Sequence, residues 1–191
     1  MRVFWTFSFI AVCAIAFVLE FFIPINFFSF TPTYALSRPW TFITSIFFHA
    51  NLEHLFFNMI ALFMFGISLE TRIKQRNFVL ILFLAGIVGN LGYMITAPTA
   101  TTSAIGASGS IYGIMGTLAV LAPTATVYLG YLPMPIVFAA FMWALTEFLG
   151  LFVPSPIAHG AHLTGLFLGI LFGFYIKMKL KSSKNRRITS F

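Results

Sequence analysis

Apolar residues run along this chain in six long blocks, roughly 3–23, 54–71, 78–97, 106–122, 132–153 and 157–176. Pro24, Pro98, Pro123 and the pair Pro154 and Pro156 close four of them; Arg72, Lys74 and Arg76 close the second, and Lys177 closes the sixth. Each block is near the ~20 residues a helix needs to cross a hydrocarbon core of ~30 Å. In lipid every backbone N–H and C=O must be satisfied internally, which leaves helices or closed barrels, and barrel strands need only ~9–11 residues. The pattern predicts an all-α polytopic membrane protein: one six-transmembrane-helix bundle over 1–191, ending in a basic tail at 177–191. The first block is too long for the apolar region of a signal peptide and lacks a small-x-small cleavage site before Pro24, so it reads as a retained span.

Composition sharpens that reading. Of 191 residues, 60% are hydrophobic and 8% charged, with a mean hydropathy of +0.98. A soluble domain has about 45–50% apolar and about 25% charged residues. A soluble enzyme, a secreted disulfide scaffold and a disordered tail are excluded. Cys13 stands alone, so there is no intrachain disulfide.

The net charge of +7 is distributed by side rather than along a surface. Arg2, Arg72, Lys74, Arg76, Lys177, Lys179, Lys181, Lys184, Arg186 and Arg187 all fall on one side of the six spans; only Arg38 falls on the other. By the positive-inside rule both termini are cytoplasmic. The basic tail is an orientation signal that meets anionic lipid of the bilayer, and nucleic acid is not an expected partner.

Two further patterns concern packing. The connection from Pro24 to Glu53 carries Phe27, Phe28, Phe30, Tyr34, Trp40 and more, which suits a loop lying in the membrane interface. Gly109 and Gly113 on the fourth span, and Gly165, Gly169 and Gly173 on the sixth, recur every four residues. Such stripes let backbones approach closely in lipid, so spans four and six are expected to touch.

Polar residues inside spans default to functional hypotheses. At ~1.5 Å per residue, Asn58 lies ~21 Å above the cytoplasmic end of span two. Ser108 lies ~21 Å up span four and His162 ~22 Å up span six. All three share one layer, and His54 sits one turn above Asn58 on the same face. A serine hydroxyl becomes a nucleophile when a base such as His takes its proton. A tetrahedral intermediate then needs donors, which His54, Asn58 and the Ser108 backbone N–H can supply. Gly106 and Gly109 flank Ser108 and permit close approach. The chain has no Asp, so only a Glu could orient His162. Glu147 lies at comparable depth but reads here as a cap on the water-accessible end of span five. Tyr112, one turn after Ser108, can stack on the His162 ring and fix it instead, so the expectation is a Ser–His dyad. His49 and His159 read as structural or cavity-lining, and Asn90 as an interhelical hydrogen-bonding residue.

At these residues the sequence resembles the rhomboids, a family of intramembrane serine proteases, and most of all the minimal six-span bacterial GlpG type. His54-x-x-x-Asn58 resembles the family's oxyanion-side pair. Gly106-Ala107-Ser108-Gly109 with Tyr112 resembles its nucleophile motif, and Ala161-His162-x-x-Gly165 its base motif. The resemblance implies Ser108 as nucleophile, His162 as general base, and His54, Asn58 and the Ser108 N–H as oxyanion donors. Gly106, Gly109, Tyr112 and Gly165 would support them. It further implies transmembrane protein substrates, no cofactor, no metal, a bacterial inner membrane, and an active site opening to the periplasmic side. Glu70 and Arg72 fall where the family carries a structural acid–base pair. The family's first-loop Trp-Arg is Trp40-Thr41 here. Two other classes are weaker on the sequence. A proton-coupled transporter would carry internal repeats, which are not evident. A zinc site would leave Gly106–Gly109 unexplained, and the HExxH pattern is missing.

Overall fold

The computed structural model describes residues 3–129 and 131–188. Its helices are α1 (Trp5–Leu19), the short α2 (Thr41–Thr44), α3 (Leu52–Glu70), α4 (Gln75–Thr96), α5 (Ser108–Leu121), α6 (Ile136–Gly150) and α7 (His159–Ile188). Among the described residues α3, α4 and the first 24 residues of α7 are long and apolar enough to cross a membrane; α1, α5 and α6 are shorter apolar helices. Large apolar side chains such as Phe7, Ile15, Phe141, Phe167 and Phe174 point outward and are exposed. An apolar outer face without polar cover is what a lipid-embedded bundle presents.

The apolar blocks thus become helices, with three differences. The span expected from residue 132 starts at Ile136, because Leu132–Pro135 pairs antiparallel with Thr126–Leu129 as a two-stranded hairpin, β1 and β2. Pro133 and Pro135 cannot donate to a helix ladder but are tolerated on an edge strand. The expected basic tail begins as helix, since α7 continues through Lys177, Lys179 and Lys181. Arg2, used for orientation, and residues 189–191 of the expected tail lie outside the described residues. The third difference is in α3, which widens into a π-helical turn over Leu62–Gly66.

The centre of the bundle is a glycine seam. A Cβ on Gly165 would stand 2.3 Å from the Gly109 carbonyl oxygen, and one on Gly169 would stand 2.1 Å from that of Gly113. Contacts this close exist only because α5 and α7 pack backbone to backbone, as the four-residue glycine spacing predicts. Thr117 ties the seam by donating to Gly113 O (2.9 Å) and to Gly169 O of α7 (3.0 Å). Gly89 of α4 completes the core against both helices, close to Gly109 of α5 and Ala161 of α7.

Glu70 does not pair with Arg72. Its buried carboxylate accepts from the backbone N–H groups of Phe4, Trp5 and Thr6 at 2.8–2.9 Å and from the Thr6 hydroxyl at 2.7 Å. These are donors that the first turn of α1 leaves without helical partners. Arg72 instead bonds Ser68. The expected acid–base pair gives way to a cap because unsatisfied N–H groups are costly in an apolar environment.

The long first loop folds into short helical turns. Trp40 Nε1 donates to Phe27 O (3.0 Å), and the Arg38 guanidinium lies 4.4 Å over the Tyr34 ring. Asn90 of α4 donates to Phe42 O and Ser45 Oγ, so its partner is this loop rather than another span. Ser45 O accepts from Gly106 N (2.9 Å), which fixes the loop against the start of α5.

Candidate active site

Gly106 starts the site. Its φ of +125° is a conformation that disfavours every residue with a Cβ, and a Cβ there would stand 2.7 Å from the His54 ring. The backbone turns here, two residues before α5 begins with Ser108. The first intrahelical donation into Ala107 O comes from Ile111 N. The N–H groups of the first turn of α5 are therefore free of intrahelical partners.

His162 lies one turn into α7 and is 8% exposed. Its Nε2 stands 2.7 Å from Ser108 Oγ. The Tyr112 ring stacks on it, with centroids 4.5 Å apart and planes 6° from parallel. The expected stack is present, and the seam between α5 and α7 brings it about: Gly109 and Gly165 touch within one turn of both reactive groups.

His54 and Asn58 line the same cavity of about 510 Å³, together with Ser108, Tyr112, Glu147 and His162. Asn51 caps α3 by accepting from His54 N (2.8 Å). Asn58 Nδ2 donates one hydrogen to His54 O (2.9 Å), leaving its second for the cavity. The three residues that the sequence placed in one layer, and His54 one turn above them, line one cavity. Gly106 and Gly165 are needed by close approach. Gly109 is not itself crowded, since a Cβ there meets only ordinary contacts at 3.6–3.7 Å.

Behind His54 lies His49, wholly buried in the first loop, its ring 5.2 Å from that of His54. Burial, with the neighbouring His54 adding to it, lowers its pKa to about 4. His49 Nδ1 donates to Phe47 O (3.1 Å), and its backbone N–H donates to Glu20 (2.8 Å).

Glu147 departs from its expected role. It is 7% exposed and does not cap α6 toward water. Tyr112 Oη donates to its Oε1 (2.5 Å), and His159 Nδ1 donates to its Oε2 (2.5 Å). Its Oε1 also lies 3.0 Å from His162 Nδ1, close enough for an ion pair but off the line of the N–H bond. His159 and His162, three residues apart, thus face one carboxylate. Their spacing on the helix, with the matching depth of Glu147, is the signal in the sequence for this cluster. Among the described residues no group of three or more His, Cys, Asp or Glu side chains could hold a metal ion.

A hydroxyl bonded to an imidazole, beside a cavity of about 510 Å³, defines a hydrolase-like nucleophile site built within a membrane bundle. The family follows from comparison. The Rhomboid domain family matches residues 36–179, most of the chain, and this protein belongs to the rhomboid family. It is an integral membrane protein. It is similar to a Bacillus subtilis protein named "Putative rhomboid protease YdcA", 39% identical over 59 residues, which are 31% of this chain and 30% of the relative. It is also similar to "Rhomboid-like protease 3" of Toxoplasma gondii, 33% identical over 70 residues, 37% of this chain and 27% of that protein. The matched segments thus span under a third of either relative's length.

Proposed function

We propose that this protein is an intramembrane serine endopeptidase that cuts peptide bonds in or near transmembrane segments of other membrane proteins. The observation that carries this reading is the 2.7 Å contact between Ser108 Oγ and His162 Nε2 in a largely apolar cavity that His54, Asn58 and Glu147 also line. Ser108 Oγ attacks the scissile carbonyl carbon as its proton passes to His162 Nε2. The oxyanion that forms is met by His54, the free hydrogen of Asn58 and the Ser108 N–H. The C–N bond breaks as His162 returns the proton to the leaving amine. Water, deprotonated by the same imidazole, then hydrolyses the acyl-serine and restores the site.

The supporting frame is a single domain over 1–191 with six spans and both termini cytoplasmic. The cavity then opens toward the periplasmic side of a bacterial inner membrane. Helical backbone is hydrogen-bonded, so a substrate helix must unwind locally to expose its scissile bond. The names of the two relatives agree with the reading. The test is cleavage of a single-span reporter protein in detergent or liposomes, paired with labelling by a serine-directed fluorophosphonate. Wild type should cut and be labelled; Ser108→Ala should do neither, and labelling should fall sharply in His162→Ala. Full cleavage by Ser108→Ala overturns the proposal.

A further inference from the structure

We infer that Glu147 is a positioning residue for the proposed base: its carboxylate holds His162 with the ring proton on Nδ1 and the Nε2 lone pair toward Ser108. The inference rests on the protease reading above and deepens it.

The geometry begins with what His162 must do. To take the Ser108 proton, Nε2 must be unprotonated, so a neutral His162 carries its proton on Nδ1. That N–H is buried, and the polar atom on hand is Glu147 Oε1 at 3.0 Å. A buried N–H without an acceptor is costly, and flipping the proton to Nε2 would remove the base. A carboxylate beside Nδ1 works against that flip and also stabilises the imidazolium formed when the Ser108 proton arrives.

The carboxylate is itself held. Tyr112 Oη and His159 Nδ1 each reach it at 2.5 Å, one on each oxygen. Gly150, one turn after Glu147, makes room for His159: a Cβ there would stand 2.3 Å from that ring. Tyr112 therefore acts twice, stacking on the face of His162 and pinning the group beside its edge. The three side chains come from α5, α6 and α7, so the cluster forms only when all three helices are packed. The proton balance is simple. One proton moves from Ser108 Oγ to His162 Nε2 and later to the leaving amine; the Nδ1 proton stays on His162, and Glu147 stays ionised throughout.

A purely structural Glu147 would tie α6 to its neighbours and nothing more. Kinetics separate the two roles. Glu147→Gln, close in shape, and Glu147→Ala are measured by fluorophosphonate labelling rate, by kcat and KM for the single-span reporter, and by thermal unfolding in detergent. The expected result is a fall of about 100-fold in kcat and labelling for Glu147→Ala. KM should stay within about twofold, because the carboxylate does not bind substrate. Added formate should restore much of the Glu147→Ala rate, since Glu147 lines the open cavity. Should both variants fail to fold, Tyr112→Phe, which keeps the ring stack and removes the pinning hydroxyl, should lower kcat at unchanged KM. Wild-type kcat and labelling in a folded Glu147→Gln and Glu147→Ala, or in Tyr112→Phe where it must stand in, overturn the inference and leave the protease reading intact. A Glu147→Ala loss that formate does not touch, with KM raised and stability lowered together, also overturns it in favour of a structural tie. Wild type inert to both probe and reporter overturns the protease reading and this inference with it.

Discussion

Gly165→Ala and Gly109→Ala look equivalent in sequence, as two glycines flanking the proposed base and nucleophile, yet should behave very differently. A Cβ on Gly165 would stand 2.3 Å from Gly109 O. Ordinary contact begins near 3.4 Å, so the helices must part by ~1 Å. The obstacle is backbone on α5, which cannot rotate away. Overpacking of this kind costs about 1–3 kcal/mol. The functional effect should be larger, because Gly109 is next to Ser108 and Gly165 is one turn from His162. Separating α5 and α7 there stretches the 2.7 Å Ser108–His162 contact beyond hydrogen-bond length. Misplacement of reacting groups by ~1 Å can cost on the order of 10²-fold. Gly165→Ala should therefore lose about two orders of magnitude in kcat and fluorophosphonate labelling, with a modest drop in thermal stability. Gly109→Ala meets only contacts of 3.6–3.7 Å and should retain most of both. Equal damage by the two substitutions, or a fully active Gly165→Ala, would refute the claim that the seam sets the spacing of the reactive pair.

Gly106→Ala should abolish labelling in a protein that still folds in part. It adds strain at φ +125°, worth about 1–3 kcal/mol, and pushes a methyl into the His54 ring; circular dichroism alongside labelling checks this. Glu70→Ala should destabilise the fold by roughly 3 kcal/mol, since charge-assisted bonds to three N–H groups are lost; Arg72→Ala should cost far less, as thermal unfolding in detergent will show. His49 gives a pH dependence. Its folded pKa of about 4 lies below the ordinary value of 6.5, so the unfolded chain binds the proton first. Stability should be full above about pH 6.5 and fall as pH drops toward 4, by up to roughly 3 kcal/mol. His49→Gln should flatten that slope in unfolding scans taken across the range.

Much of the site was legible from local pattern. Ser108, Asn58 and His162 fell in one layer because rise per residue is fixed, and height along a helix can be counted from its charged end. Rotation about the axis cannot be counted this way when a helix is apolar all round. α6 is such a helix: Phe138, Phe141 and Leu145 are exposed on one face, and the buried Ile136, Ala139 and Ala140 are apolar too. Its depth therefore placed Glu147 at the right level, while its direction, toward His162 rather than toward water, stayed hidden. Glu70 is similar. Its position beside Arg72 suggested a pair, but the groups most in need of a partner were N–H donors more than sixty residues away at the start of α1.

By itself the sequence determined that this chain lives in lipid, where its helices run, and which serine and histidine could meet. Each of these depends on quantities local to one segment: apolar length, charge at the ends, glycine spacing and residue height. Only the tertiary structure decided which carboxylate stands beside the base, how α1 is capped, and which glycine of the seam tolerates a methyl group. Those depend on how helices are turned and pressed against one another. That is a property of three or more segments at once, and no single stretch of sequence carries it.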